Sequence, residues 1–126
     1  MIELDAIKEI LQKEGYDSAA DMAVGDQVEI EVDGYMPLTI EKIEDNKISV
    51  AHYYTQRGDL MSDPEIVFRI NEDGEWTPVR YTQHPRHHQY NENGLPSVDA
   101  FVNTWDRKLR KQGFPDHAGD ATNVDN

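Results

Sequence analysis

Gln27-Val28-Glu29-Ile30-Glu31-Val32-Asp33-Gly34-Tyr35-Met36-Pro37-Leu38-Thr39-Ile40-Glu41-Lys42-Ile43-Glu44-Asp45-Asn46-Lys47-Ile48-Ser49-Val50 has the pattern of consecutive strands joined by short turns. Val28, Ile30 and Val32 alternate with Glu29, Glu31 and Asp33, the period of a strand with one face buried and the other in water. Asp33-Gly34 is a hairpin signal, and Met36, Leu38, Ile40 and Ile43 continue as its partner strand. The polar turn Glu44-Asp45-Asn46-Lys47 leads into a third strand, Ile48 to Tyr54.

After this third strand a loop is expected from Thr55 to Asp63. Ile66, Phe68 and Ile70 then alternate as a fourth strand, closed by the turn at Asp73-Gly74. A fifth runs from Trp76 to Gln83, where Pro78 is easier to place on an edge than in the sheet centre. Leu4, Ile7, Ile10 and Leu11 form one face of an N-terminal helix that Gly15 ends. A helical turn is read at Ser18 to Met22, and His84 to Pro96 reads as loop. Ser97 is a good N-cap for a closing helix carrying Val98, Phe101, Val102, Trp105 and Leu109, stopped at Gly113. No intervening helices exist for parallel pairing. The expected fold is therefore α+β, a five-stranded antiparallel meander flanked by an N-terminal and a C-terminal helix. It occupies 1–114 as a single domain, and 115–126 is expected to be a disordered acidic tail.

The chain has 126 residues, no cysteine and a net charge of −13. Residues 1–75 hold 19 acids against 6 bases, the whole excess, whereas residues 76–126 hold six of each. Such a field repels nucleic acid and anionic membrane and attracts a basic protein surface or cations; it also serves solubility. No apolar run reaches the length of a membrane span, and the first residues lack the basic flank and apolar stretch of a signal peptide. A cytoplasmic protein, with no direct nucleic-acid or membrane partner, is expected.

Three polar groupings are candidates for function. Glu29, Glu31 and Asp33 on one strand, followed by Glu41, Glu44 and Asp45, form a ladder of carboxylates that can imitate phosphate spacing, or an ordinary solvated face. The connection His52 to Glu65 places His52, Tyr54, Asp59, Asp63 and Glu65 together in sequence. Carboxylates there suit a hard cation, but their spacing matches no calcium loop, and Asp59 and Asp63 as turn caps with Gly58 at positive φ account for them structurally. The third, His84, Arg86, His87 and His88, is read as an exposed basic loop rather than a metal site, because adjacent histidines point apart. No phosphate loop, nucleophile elbow or zinc-protease motif is present, and no cofactor is expected.

Ile48-Ser49-Val50-Ala51-His52-Tyr53-Tyr54, Gly58-Asp59-Leu60-Met61 and Asp63-Pro64-Glu65, with Trp105, Leu109 and Lys111-Gln112-Gly113-Phe114, resemble an uncharacterised domain-of-unknown-function family. Its members are short proteins encoded largely on phages, plasmids and conjugative elements. The resemblance covers roughly residues 27–114 and implies no reaction and no catalytic residue. The leading expectation is a non-catalytic interaction protein whose acidic surface binds a basic protein partner, such as a host nucleic-acid-binding defence protein. The rival is a small metal-dependent enzyme or metal-binding protein using His52, Asp59, Asp63 and Glu65. A third is a structural or assembly protein that self-associates through an exposed sheet edge.

Overall fold

A computed structural model describes residue 2, residues 4–83 and residues 87–119, with backbone alone at 55, 56, 59–63 and 87. Its centre is an antiparallel sheet of six strands in sequence order, β1 (Gln27–Ile30), β2 (Leu38–Glu44), β3 (Lys47–Gln56), β4 (Asp59–Ile70), β5 (Trp76–Gln83) and β6 (His87–Tyr90). The meander and the flanking helices are as the sequence indicates, but the sheet has six strands, not five. The added β6 lies in the segment read as loop. Its residues His87-His88-Gln89-Tyr90 carry no apolar alternation, and they are strand because their backbone pairs with Arg80 to Gln83. Tertiary pairing overrides composition there.

The second difference concerns the stretch read as a loop from Thr55 to Asp63. β3 and β4 run on through it as a tight hairpin, pairing Tyr53 with Ser62, Tyr54 with Met61, Thr55 with Leu60 and Gln56 with Asp59. Arg57 (φ +54°) and Gly58 (φ +86°) form the two-residue turn. Positive φ at both central positions is the hairpin turn whose twist suits antiparallel strands. β2 pairs with β3 only as far as Leu38 opposite His52, and β4 pairs with β5 only as far as Glu65 opposite Thr82. The tip of the β3–β4 hairpin is therefore a two-stranded arm extending past its neighbours.

Two smaller readings also change. β1 ends at Ile30, so the Asp33-Gly34 turn, with Tyr35 N–H donating to Val32 C=O at 3.1 Å, lies within a longer connection. Pro78 is in β5, between β4 and β6, and not on an edge; the register slips beside it, where Val67 faces Arg80 but Phe68 faces Pro78. A bulge accommodates the missing N–H.

Helices cover one face of the sheet. α1 (Asp5–Lys13) buries Ala6, Ile7, Ile10 and Leu11, and ends where Tyr16 N–H donates to Leu11 C=O at 2.9 Å and Gly15 N–H to Gln12 C=O at 3.1 Å. That paired closure needs the left-handed residue that Gly15 supplies at φ +101°. A short 3-10 turn, Ala19–Asp21, follows where a helical turn is expected. α2 (Asp99–Gln112) is preceded by another such turn at Pro96–Val98, so its N-cap is Val98 and not Ser97. α2 stops at Gly113, and α3 (Phe114–His117) follows at once. Phe114, Pro115 and Ala118 are buried, so the packed body continues past the expected boundary at 114; residues 120–126 of the expected tail lie outside the described residues.

The main core lies between helices and sheet. Ile7, Ile10 and Leu11 of α1 meet Val28, Ile40, Val50, Ile66 and Phe68 of the sheet, together with Val102, Trp105 and Leu109 of α2 and Phe114 of α3. At roughly 25 cal/mol per Å² of apolar surface removed from water, this cluster is the main source of stability in a chain without disulfides.

Candidate interaction surfaces

The pairing register sorts the polar residues onto faces. Val28, Ile40, Val50 and Ile66 sit opposite one another and face the helices, so Glu29 opposite Thr39 and Glu41 opposite Gln27 share the other, open face. Glu31 and Asp33 follow in the β1–β2 connection, and Glu44 and Asp45 mark the β2–β3 turn at the far end of β2. The six carboxylates thus extend along the whole of β2, about 20 Å at 3.3 Å per residue, beside the edge strand β1. Among the described residues none of the six takes part in an ion pair within 4 Å. Glu41 is half-buried and the other five are exposed.

That none of the six is in a close ion pair follows from where the sheet's cations are held, although Lys47, opposite Glu44 in the register, attracts that carboxylate at longer range. Lys42 is buried, and its Nζ donates to the Ala19 C=O at 2.9 Å and the Met22 C=O at 3.1 Å, tying the first 3-10 turn to β2. On the β3–β6 side Lys47 pairs with Glu92 at 3.0 Å, and Arg69 donates to the Glu92 C=O. Arg80 Nη2 lies 3.6 Å from Glu65. One half of the open face is internally compensated and the other is left negative.

Glu65 belongs to the compensated half. It pairs with Ala51 across β3, accepts a hydrogen bond from Ser49 Oγ at 2.8 Å and faces Arg80. Burial pushes the neighbouring Tyr53 phenol above its ordinary value, and the charge of Glu65 adds to the shift.

His52 is adjacent to Ala51 and therefore points the other way, under the helices. It is buried, with its ring 5.6 Å from Trp105 in an edge-on arrangement and 5.4 Å from Phe114. Its Nδ1 lies 3.0 Å from the Met36 C=O and 3.2 Å from the Pro37 C=O. Since carbonyls only accept, Nδ1 carries the proton. The structure accordingly does not bring His52 and Glu65 together. Tyr54 is half-buried on β3, and the side chains of Asp59 and Asp63 lie outside the described residues.

Of the third grouping, His84 and Arg86 lie outside the described residues, as does the side chain of His87. His88 is exposed on β6 with Nδ1 at 3.0 Å from Thr82 Oγ1. Among the described residues no three His, Asp or Glu side chains are grouped to hold a metal ion, and no helix is long and apolar enough to cross a membrane.

Sequence reasoning missed two features. One is Asp106, buried on α2, whose carboxylate accepts from Ala6 N–H at 3.0 Å and Ile7 N–H at 3.1 Å. These are among the first-turn donors of α1, which its own N-cap residue Leu4 has no side chain to satisfy. The other is a cavity of about 240 Å³ between α2 and the sheet end at the base of the arm, with Tyr35, His52, Phe101, Trp105 and Lys108 in its lining. Phe101 stacks on Trp105 at 6.1 Å and meets Tyr81 edge-on at 5.6 Å. The spacing of Phe101 and Trp105 was a visible helical signal, but which part of that face the sheet would leave uncovered was not.

A family model described as a domain of unknown function (DUF6908) matches residues 5–115, from the start of α1 into α3. The match extends past residues 27–114, which carry the sequence resemblance, to take in α1. No curated protein and no solved structure matches the chain.

Proposed function

The chain belongs to the DUF6908 family of domains of unknown function, and we propose that it is a non-catalytic interaction protein whose β1–β2 surface binds a basic surface on a protein partner. The observation that carries the reading is the row of Glu29, Glu31, Asp33, Glu41, Glu44 and Asp45, which has no ion pair within 4 Å among the described residues. Like charges held side by side raise the potential above them, and a basic partner relieves it on contact. A field of this sign disfavours direct contact with nucleic-acid phosphates.

The proposal includes a setting. The protein acts in the cytoplasm of a host carrying a phage or another mobile element, and its partner is a host nucleic-acid-binding protein, a defence protein among them, whose basic groove the carboxylates occupy. A position beside conjugation or defence-inhibiting genes would support this setting. Edge-to-edge self-assembly is the weaker reading, because β1 is four residues long and carries Glu29, features that discourage strand pairing at an edge.

Co-purification tests the proposal. The chain, used as bait, is expected to retain a basic protein that elutes as salt rises, since screening shortens the range of the attraction from about 10 Å at 0.1 M to about 3 Å at 1 M. Recovery of nucleic acid alone would overturn it.

A further inference from the structure

The cavity between α2 and the end of the sheet differs chemically from the rest of the molecule. The chain carries 25 acids against 12 bases, yet none of the described residues lining this cavity is acidic, and its charged member is Lys108. Lys108 has no ion pair within 4 Å among the described residues, whereas Arg110, two residues on, is held by Glu9 at 3.0 Å. Around it are Tyr35, His52, Phe101 and Trp105, with Thr104 and Gln112 as further polar groups.

Two of these rings remain accessible despite the water-excluding surface they offer. Tyr35 is 48% exposed and Phe101 38% exposed, although Phe101 stacks on the buried Trp105. A volume of about 240 Å³ falls below the usual range of pockets for drug-sized ligands, about 300–1,000 Å³, so it suits one residue-sized group. Aromatic walls favour a flat ring by offset or edge-on contact. An unpaired ammonium at the same opening favours an anion, and a carboxylate gives the shorter, stronger charge-assisted hydrogen bond.

We infer that this cavity binds an aromatic group bearing a carboxylate, with the ring against Tyr35 and Phe101 beside the buried Trp105 and the carboxylate on Lys108. The inference is independent of the acidic β1–β2 surface, because none of the six carboxylates lines the cavity. Two sources share this chemistry: a free aromatic acid, and the C-terminal aromatic residue of a polypeptide.

The two tryptophans make the test internal, since Trp105 lines the cavity and Trp76 does not. N-acetyl-phenylalanine is titrated into the full chain while the two indole N–H resonances are followed by NMR. The Trp105 signal is expected to shift to saturation and the Trp76 signal to stay in place. N-acetyl-phenylalanine amide, which keeps the ring and loses the charge, is expected to bind about tenfold more weakly, as is the acid to Lys108→Ala; tenfold corresponds to about 1.4 kcal/mol. Lys108 is exposed, so that variant should keep its fold, checked by unchanged dispersion of the other resonances. A short peptide ending in phenylalanine separates the sources: tighter binding than the free acid assigns a polypeptide C-terminus, and equal or weaker binding assigns a free aromatic acid. An unsaturable Trp105 response up to about 10 mM, weaker than the millimolar affinity that is already only about −4 kcal/mol, would overturn the inference. Equal binding of acid and amide, or undiminished binding to Lys108→Ala, would also overturn it.

Discussion

Asp106 shows how a single buried side chain joins the two ends of the chain. Its carboxylate caps α1 from α2, at a sequence separation of 100 residues. Asp106→Ala leaves two first-turn N–H groups without their acceptor, and should lower the unfolding free energy by about 1–3 kcal/mol in urea titrations. Asp106→Asn keeps one acceptor oxygen and should lose less. Burial raises the Asp106 carboxyl above its ordinary value of 3.8, against the opposing hydrogen bonds from Ala6 and Ile7. A folded-state pKa above the unfolded one means that the native state binds more protons in the window between them. The group's contribution to stability is thus fully present below 3.8 and is lost as pH rises through the folded value. A carboxyl-carbon NMR titration should place the Asp106 midpoint above 3.8, and a midpoint at or below it would contradict the assignment. The stability gap between wild type and Asp106→Asn should widen as pH falls toward that window.

The β3–β4 arm carries the clearest prediction at the level of elements. Arg57 holds φ +54°, which disfavours an L-residue with a long side chain, and Gly58 holds φ +86°. Arg57→Asn should stabilise the arm by several tenths of a kcal/mol, and Gly58→Ala should destabilise it by about 1 kcal/mol. Because, among the described residues, the arm pairs only with itself beyond His52 and Glu65, the effect should appear locally. Amide hydrogen exchange should slow in Arg57→Asn and quicken in Gly58→Ala at residues 53–62, while the amides of Val50 and Ile66 keep their rates; equal changes at both places would contradict an independent arm. The elements that were legible in the sequence are those whose own side chains enter the core. Ile7, Ile10 and Leu11 announced α1, and Val28, Ile30 and Ile40 announced β1 and β2. β6 was not legible because its ladder to Arg80–Gln83 is made by backbone, which no side-chain pattern records. The arm was hidden likewise, although Arg57-Gly58 between two runs of strand-forming residues was a usable turn signal. Of the candidate sites, the carboxylate row was readable as residues, but its lack of close ion pairs depended on where Lys42, Lys47, Arg69 and Arg80 are held.

On the scale of the whole molecule, the structure resolves the charge into regions. The helices cover one face of the sheet, the β3–β6 part of the open face is compensated by Lys47, Arg69 and Arg80, and the β1–β2 part is left negative. On the proposed function this last region, and not the net charge, selects a partner. A variant with Glu29→Gln, Glu31→Gln, Asp33→Asn, Glu41→Gln, Glu44→Gln and Asp45→Asn should fold, since five of the six sites are exposed and none is in an ion pair among the described residues. The deciding measurement compares it, as bait, with wild type and with a second variant neutralised at six acids elsewhere: Asp5, Glu14, Asp17, Glu72, Asp73 and Glu75. Wild type and the second variant should retain the same basic protein with salt-sensitive affinity while the β1–β2 variant loses it; equal loss from both variants, or retention by the β1–β2 variant, would refute selection by this surface.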